Sequence, residues 1–317
     1  MTTPILTRRY TIGDQADWNN FIAKAKNSTF LFNREYVDYH QHRFRDHSLL
    51  LYHDKKLSAV FIANEDGDRV ESHGGLTYGG LILEPTVKLE RVLRYFFHAV
   101  RYYHTNGFKT ILYKALPSYF ATLPSNEDLY ALFLLNSKLT RRETSMVLDL
   151  PDVMNRRSSE SLRVLGSSDP ERFWNEVLIP NLKERHGAGP VHSSSEMKLL
   201  MTRFPENIQL FEVYDNLSNE LVAGAVIYVT SSVAHLQYIS SNHAGRKAEA
   251  TDALINHLLT NVYPGKKYFS FGTSNSEAGR KLNMGLTFWK ESFGARTFIH
   301  DSYEIETAGF GLLKEYE

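Results

Sequence analysis

Apolar residues recur along the chain with two alternating periods, one helical and one typical of strands. In the first half these periods predict helices over 14–25, 33–40, 88–106 and 126–135, and strands over 48–52, 57–63, 76–83, 109–116 and 145–150. In the second half they predict helices over 169–185, 194–203 and 246–262, and strands over 208–214, 221–229, 233–240 and 268–271, with short strands around 293–294.

The predicted elements follow the same order in both halves. Each half is helix, helix, three strands, helix, strand, and a glycine (Gly107 or Gly265) follows each long amphipathic helix. The sequence therefore predicts a mixed α/β (α+β) fold made of two copies of one unit, in domains 1–155 and 156–317. The polar stretch 151–161 is the predicted linker, and the last strands are free to return to the first domain.

Composition and charge exclude several classes of protein. The 317 residues contain 36 Lys plus Arg, 36 Asp plus Glu and no Cys. Zero net charge disfavours a dedicated DNA or RNA binder, and the lack of cysteine excludes disulfides, thiolate metal sites and a cysteine nucleophile. No apolar run approaches the ~20 residues that cross a bilayer, and no signal peptide is recognisable. We expect a cytoplasmic protein with no membrane association, monomeric because its two domains can pack against each other.

Several catalytic motifs are missing from the sequence. The Walker A, Rossmann, Gly-x-Ser-x-Gly and His-Glu-x-x-His patterns do not occur. Four histidines lie between residues 40 and 53, but their spacing does not form a ligand set, so no metal site is predicted.

The segment after the predicted strand 233–240 has the chemistry of a phosphate cradle. Asn242, Gly245, Arg246 and Lys247 lie where the next helix is predicted to start. Unpaired backbone N–H groups and two cations suit a pyrophosphate. The alternative is a capped helix with two exposed cations.

The next strand end, Phe271-Gly272-Thr273-Ser274-Asn275, together with Gly285-Leu286, resembles the second half of an N-acetyltransferase (GNAT) domain. The resemblance implies that a strand splays from its neighbour, that acyl-CoA lies in the gap, and that its pyrophosphate meets the 242–247 segment. It also implies that Asn275, with Ser274, contacts the pantetheine arm, and that a backbone N–H near Ile239 or Ser240 stabilises the oxyanion. Two residues, Tyr238 and Tyr263, are alternative candidates for the group that protonates the departing thiolate.

Two longer stretches, 71–82 (ESHGGLTYGGLI) and 288–294 (FWKESFG), resemble the FemAB-like proteins, which carry two GNAT domains in one chain. The similarity spans nearly the whole chain. It implies an acyl-CoA-dependent N-acyltransferase that moves an acetyl or 3-hydroxybutanoyl group to the amino group of a nucleotide-linked (dTDP) deoxyamino sugar, for O-antigen, lipopolysaccharide or another surface polysaccharide. The alternatives are an aminoacyl-tRNA-dependent aminoacyltransferase acting on peptidoglycan precursors and a non-catalytic carbohydrate- or nucleotide-binding module.

The glycine-rich stretch supplies the candidates for the general base. His73 is the first candidate, because its ordinary pKa is near neutrality and the adjacent glycines permit close approach of a ligand. Glu71 is the second, and a chain of water molecules is the third. Four further residues are candidates for substrate binding: Thr77, Tyr78, Tyr238 and Lys290.

Overall fold

A computed structural model describes residues 4–150 and 160–317. The chain forms two compact units. The first contains the chain up to Thr144 together with Asn275–Leu282 and Phe298–Glu317, and the second contains Ser145–Ser274 and Asn283–Thr297. The predicted boundary at 155/156 and most of the predicted linker 151–161 lie outside the described residues, so the domain limits stay a prediction.

The strands of the described chain are, in order, β1 (Ile5–Arg9), β2 (Leu49–His53), β3 (Lys56–Ile62), β4 (Asn64–Asp66), β5 (Arg69–Glu71), β6 (Gly80–Leu83), β7 (Thr110–Lys114), β8 (Lys138–Asp149), β9 (Leu162–Ser167), β10 (Ile208–Asp215), β11 (Leu221–Val229), β12 (Val233–Ser241), β13 (Tyr268–Thr273), β14 (Asn275–Ser276), β15 (Lys281–Leu282) and β16 (Arg296–Glu306).

The α-helices are α1 (Gln15–Ile22), α2 (Arg34–Val37), α3 (Leu89–Thr105), α4 (Glu127–Leu134), α5 (Ile179–His186), α6 (Ser194–Arg203), α7 (His243–Lys247), α8 (Ala250–His257) and α9 (Met284–Glu291). Two π-helical segments, Phe173–Leu178 and Leu258–Val262, precede α5 and follow α8. The chain ends in a 3₁₀ segment, Thr307–Tyr316.

The first unit packs its sheets around α3. One sheet has the strand order β1-β2-β3-β6, and β4, β5, β7 and β16 are neighbours in that order in a second. The apolar stripe of α3 is buried against β2 and β3 from Val92 onward, because residues three and four apart share one face of a helix, whereas Leu89 at its start is 44% exposed. Gly107, with φ +89°, ends α3 as predicted.

The second unit is built on one sheet in which the end of β8 is followed by β13, β12, β11, β10 and β9. All of these neighbours are antiparallel except β12 and β13, which run parallel. The nine residues of β11 are all buried, and the apolar side of α8 covers this strand. Because α8 packs on β11, the neighbouring strand β12 and its side toward β13 lie next to α7 and α8.

The predicted mixed α/β class is confirmed, and both units share one order of elements. Each runs strand, two helices, antiparallel strands, helix, strand, helix, with the small β4–β5 hairpin added in the first unit. Neither opening strand, β1 nor β9, was predicted, because three of the five residues of β1 are polar and the three apolar residues of β9 do not alternate with polar ones.

Four predicted elements are wrong in extent or type. The strand 145–150 is the last part of β8, which already starts at Lys138. The strand 76–83 is formed only from Gly80, because the glycine loop before it turns onto β7. The helix 246–262 is two helices, since Glu249 adopts φ +52° between them. The strands expected around 293–294 are preceded by α9, whose first turn is capped by Asn283, and β16 starts only at Arg296.

One buried histidine of the first unit makes a prediction about acid stability. His300 on β16 is 8% exposed, and burial lowers its pKa to about 4. The unfolded chain takes up this proton near the ordinary pKa of about 6.5, so the free energy of unfolding should fall as pH drops from about 6.5 to 4, by at most about 3 kcal/mol. His300→Gln should flatten this part of the curve in urea unfolding at pH 7, 6, 5 and 4. The exposed His42→Gln is the control, and an unchanged slope in His300→Gln would contradict the assignment.

Candidate functional site

Strands β12 and β13 of the second unit separate after a short stretch of pairing. Their parallel register covers only Val233↔Tyr268, Ala234↔Phe269 and His235↔Ser270. Beyond His235, β12 continues to Ser241 while β13 continues to Thr273. The two strand ends therefore form an open wedge, as the GNAT resemblance implied.

Irregular backbone on both strands accounts for the wedge. Val226 pairs with Tyr238 and Ile227 with Leu236, so Gln237 is an extra residue in β12. Such a bulge bends a strand and increases its twist. On β13 the register with β8 shifts between Ser270 and Thr273, and the intervening Gly272 has φ +69°. Both strands thus bend where their mutual pairing stops.

The wedge exposes backbone hydrogen-bonding groups along β12. Residues 236–241 remain paired with β11 on one side only. In an antiparallel pair, alternate residues direct their N–H and C=O groups away from the partner strand. Half of the groups in this stretch, which contains Ile239 and Ser240, therefore point toward the side that β13 has left. A ligand with amide groups would satisfy them.

Lys290 on α9 contacts the end of β13 that has separated from β12. Its ammonium donates to the carbonyl oxygens of Gly272 (3.0 Å) and Thr273 (2.7 Å), and the residue is 3% exposed. Burial lowers the pKa of Lys290 to about 7. Trp289 next to it donates from Nε1 to Asp252 at 2.8 Å, so α9 is also tied to α8. In this structure Lys290 contacts the strand end.

Tyr238 stands on the separated part of β12. Its hydroxyl lies 2.7 Å from Nδ1 of His192 and accepts a longer bond from the His192 N–H, and its ring packs edge-on against Trp174. Burial raises the pKa of Tyr238 to about 12, so the phenol stays protonated at neutral pH. Tyr263, the other candidate acid, donates to Gln209 at 2.7 Å beyond the far end of α8. Of the two tyrosines, only Tyr238 lies on the separated part of β12, and the choice between them stays a prediction.

The turn after β12 is the short helix α7. The Asn242 side chain caps it by accepting from the Gly245 N–H at 2.8 Å. Gly245 is required by packing, since a Cβ there would clash with the Val222 carbonyl oxygen. Arg246 and Lys247 therefore lie in the last turn of α7 and just before α8, instead of at the start of one long helix.

Arg246 is partly engaged within the second unit. It donates to the Asn181 side chain (3.1 Å) and the Ser241 carbonyl (3.2 Å). Asn181 also donates to the Ser240 hydroxyl at 2.9 Å, so it links the splayed strand to Arg246. Lys247 is exposed. Arg246 also lies 3.7 Å from a carboxylate oxygen of Glu184, so Lys247 is the less engaged of the two cations that follow β12.

The two residues predicted to contact pantetheine differ in their surroundings. Ser274 is 2% exposed, and its hydroxyl has no hydrogen-bond partner within the described chain. Asn275 accepts from the Thr144 N–H (2.7 Å) and hydroxyl (2.8 Å), and donates to the Gly279 carbonyl (3.3 Å). Its amide is therefore already occupied within the first unit.

The equivalent gap in the first unit, between β6 and β7, is filled by its own residues. The Tyr113 hydroxyl accepts from the Leu81 N–H (3.3 Å), and Gly79 N–H donates to the Lys114 carbonyl (3.0 Å). A Cβ at Gly80 would clash with the Tyr113 ring. The glycines of residues 74–80 thus allow the loop to fill this gap.

The predicted bases lie in that loop. His73 is 1% exposed, stacks on His40 with ring centroids 5.2 Å apart, and accepts from the Gly75 N–H at 3.2 Å. Burial lowers its pKa well below the ordinary value. The Glu71 carboxylate accepts from Arg69 at 2.6 Å. The catalytic roles of both residues stay predictions, and each has a structural partner in this conformation.

Of the two loop residues predicted to bind substrate, Thr77 is exposed and Tyr78 is 3% exposed. Tyr78 donates to the Thr29 hydroxyl at 3.3 Å and packs against Phe32 and Phe120, and burial raises its pKa. Tyr78 therefore contributes to the core in this conformation. Both assignments remain predictions.

Sequence reasoning missed three residues that shape the site: Asn181, His192 and Gln237. None belongs to a motif, because each acts through a partner distant in sequence or through a bulge that leaves no signature in composition. Of the residues they act on, Ser240 and Tyr238 were already candidates, whereas Leu236 was predicted only as part of a strand.

Two features are absent from the described part of the chain. Between 4 and 150 and between 160 and 317, no helix is both long and apolar enough to cross a membrane. The same residues contain no group of three or more His, Asp or Glu side chains placed to hold a metal ion.

No known family and no curated protein matches the sequence. Solved structures do match the fold. FemX has a TM-score of 0.67 at 12% identity, covering 98% of this chain and 100% of its own. A tandem GNAT protein from the clavulanic acid biosynthesis pathway has a TM-score of 0.58 at 11% identity, covering 96% and 99%. A domain of a putative lysylphosphatidylglycerol synthetase from Agrobacterium fabrum has a TM-score of 0.59 at 9% identity, covering 96% and 95%.

At these identities the likeness concerns the fold. The two units, each with the same order of elements, have the architecture of tandem GNAT-fold proteins.

Proposed function

We propose that this protein is an N-acyltransferase that takes its acyl group from acyl-CoA bound in the wedge of the second unit. The observation that carries the proposal is the separation of β12 from β13 after three residue pairs. The pantetheine arm of CoA is an extended chain with two amide groups, so it can pair with the free backbone edge of residues 236–241 as a strand would. The filled gap of the first unit favours the second unit as the donor site.

The proposed reaction is direct transfer in a ternary complex. The amine nitrogen of the acceptor attacks the thioester carbonyl carbon, the C–S bond breaks, and an N–C bond forms. A backbone N–H of Ile239 or Ser240 stabilises the oxyanion, because it is fixed in the strand before the reaction. Tyr238 gives its proton to the departing thiolate. The group that accepts the proton lost by the amine stays the prediction made from the sequence, with His73 first, Glu71 second and water third.

The phosphates of CoA are proposed to contact the 242–247 segment, and Ser274 and Asn275 to border the pantetheine. Arg246→Ala combined with Lys247→Ala should weaken acetyl-CoA binding about tenfold, since a charge-assisted contact contributes roughly 1.5–3 kcal/mol. Calorimetry measures the Kd. Lys198→Ala, an exposed cation on α6 paired with Asp169, is the control. Equal acetyl-CoA affinity in the double variant and the control would mean that the phosphates of CoA bind elsewhere.

The acceptor is proposed to be a nucleotide-linked (dTDP) deoxyamino sugar used for a surface polysaccharide. This choice is supported by the overall resemblance of the sequence to that branch of the FemAB-like proteins and by the zero net charge.

Aminoacyl transfer is the second candidate. Two of the similar structures are named FemX and lysylphosphatidylglycerol synthetase, and the second name denotes a product that carries lysine. A filter-binding assay with charged tRNA separates the two, because only an aminoacyl-tRNA-dependent enzyme should retain the RNA.

The proposal as a whole is tested by turnover. The purified protein should release free thiol from acetyl-CoA or 3-hydroxybutanoyl-CoA only when a dTDP-amino sugar is present, and a chromogenic thiol reagent records the release. Retention of charged tRNA without thiol release would favour aminoacyl transfer. If the protein showed neither thiol release nor tRNA retention, a binding module without catalysis would be favoured.

A further inference from the structure

Three arginines of the first unit line one cavity that the proposed reaction does not use. Arg141 and Arg142 lie on β8, and Arg280 lies on the turn between β14 and β15. With residues 139, 140, 278 and 279 they enclose a cavity of about 370 Å³. All of these residues belong to the first unit.

The turn that carries Arg280 is fixed against β8. The Asn275 amide bridges Thr144 on β8 and the Gly279 carbonyl. Gly279 has φ +89°, and a Cβ there would clash with the Arg142 carbonyl oxygen, so only glycine permits this approach. The preceding Glu277 and Ala278 are also left-handed, with φ of 52° and 53°. The position of Arg280 beside β8 is thus set by the fold.

The cavity carries an excess of positive charge. Arg142 donates to both carboxylate oxygens of Asp301 at 2.8 Å. Arg141 donates to Glu143 at 2.8 Å. Arg280 has no ion pair within the described chain, and Glu277 pairs with Lys281 at 3.4 Å. Arg141 and Arg142 are successive residues of β8, so their side chains leave the strand on opposite faces, and each is paired with one carboxylate. Arg280, on the turn beside the strand, is the arginine of the cavity that has no such partner in the described chain.

We propose that this cavity binds the diphosphate group of a nucleoside diphosphate. Guanidinium groups match the geometry of phosphate oxygens and donate two parallel bonds each. Groups on two separate segments can hold two linked phosphates, and about 370 Å³ lies at the lower end of small-molecule sites. The partly exposed Leu139 offers an apolar flank to the nucleoside. That this ligand is the acceptor of the transfer reaction rests on the proposed function, whereas the binding site does not.

The test measures binding by calorimetry with dTDP, inorganic pyrophosphate and acetyl-CoA as separate probes. In Arg280→Ala the Kd for dTDP and for pyrophosphate should rise at least about tenfold, and further in Arg280→Glu, since a charge-assisted bond contributes roughly 1.5–3 kcal/mol. Acetyl-CoA affinity should not change. The matched control is Arg101→Ala, an exposed arginine of the first unit paired with Glu317. Arg280 is exposed and unpaired, so the variants should keep the parent's Tm.

Three results would overturn the site: no dTDP binding at millimolar concentration in the unaltered protein, equal dTDP affinity in all variants, or a loss confined to acetyl-CoA. The outcome is separable from that of the proposed function. Arg280-dependent dTDP binding without any acyl transfer would keep the site and reject the activity. Transfer with Arg280-independent binding would reject the site alone.

Discussion

Replacing Gly272 with leucine is expected to abolish measurable acyl-CoA binding, with the Kd raised at least about 100-fold, or roughly 2.8 kcal/mol. Gly272 lies at the fork of the wedge, where a Cβ would stand 3.4 Å from the His235 ring and 3.9 Å from the Leu236 carbonyl oxygen. A leucine side chain built on that Cβ would occupy the space proposed for the pantetheine arm. Calorimetry with acetyl-CoA measures the change.

Backbone strain has to be separated from blockage, because Gly272 has φ +69° and a side chain there is strained by about 1–2 kcal/mol. Gly107→Leu is the matched control. Gly107 has φ +89° at the end of α3, and a Cβ there meets nothing within 4 Å. Both variants should lose similar thermal stability, but only Gly272→Leu should lose the donor. Equal acetyl-CoA affinity in the two variants would mean that the wedge does not hold it.

Tyr238→Phe is expected to lower kcat about 100-fold while leaving the Kd for acetyl-CoA within about twofold, since a positioned general acid contributes on the order of 10²–10⁴ in rate. The phenol stands on the separated part of β12 beside His192, and burial keeps it protonated. Removing the hydroxyl leaves the ring packed on Trp174, so the fold should be retained. Steady-state kinetics with the acceptor amine records the change.

The control for this variant is Tyr263→Phe. Tyr263 is 5% exposed and its hydroxyl bonds to Gln209, so the substitution removes a buried hydrogen bond of the same type. We expect its kcat to stay close to that of the parent protein. If Tyr238→Phe kept full activity, or if the two variants lost it equally, the thiolate would have to be protonated by another group.

The limits of helices α3 and α6, which have recognisable residues at their ends, were predicted to within one residue. Helix α6 matches its predicted limits residue for residue, because Ser193 and Glu196 form a capping box that is legible in the sequence. The stripe of α3 and the glycine after it located both ends of that helix. Helix α9 was missed, because it contains Gly285 and two aromatic residues and depends on its packing against β13.

The wedge could be expected only through the family resemblance. The hydrophobic pattern gave β12 and β13 nearly their observed lengths, but nothing in that pattern marks Gln237 as a bulge or ends the pairing at His235. Bulges and left-handed residues are tertiary features, and Glu249, which divides the predicted helix 246–262, is a residue with no preference for positive φ.

In the glycine-rich stretch 71–82 the sequence indicated the local geometry but not the group that makes the contact. Its composition correctly indicated close backbone approach, and we expected the approaching group to be a ligand. In the structure the neighbours of these glycines are Tyr113, His40 and Phe44. Sequence alone could not distinguish a ligand from the protein's own side chains, because both require the absence of a Cβ.

The most direct test of the central claim is a crystal structure of the protein with bound acetyl-CoA. We predict that the pantetheine arm lies in the second unit between residues 236–241 of β12 and residues 271–273 of β13, with the thioester carbonyl facing the N–H of Ile239 or Ser240. A complex in which acetyl-CoA binds away from these strands, or in which β12 and β13 pair along their full lengths, would contradict the account.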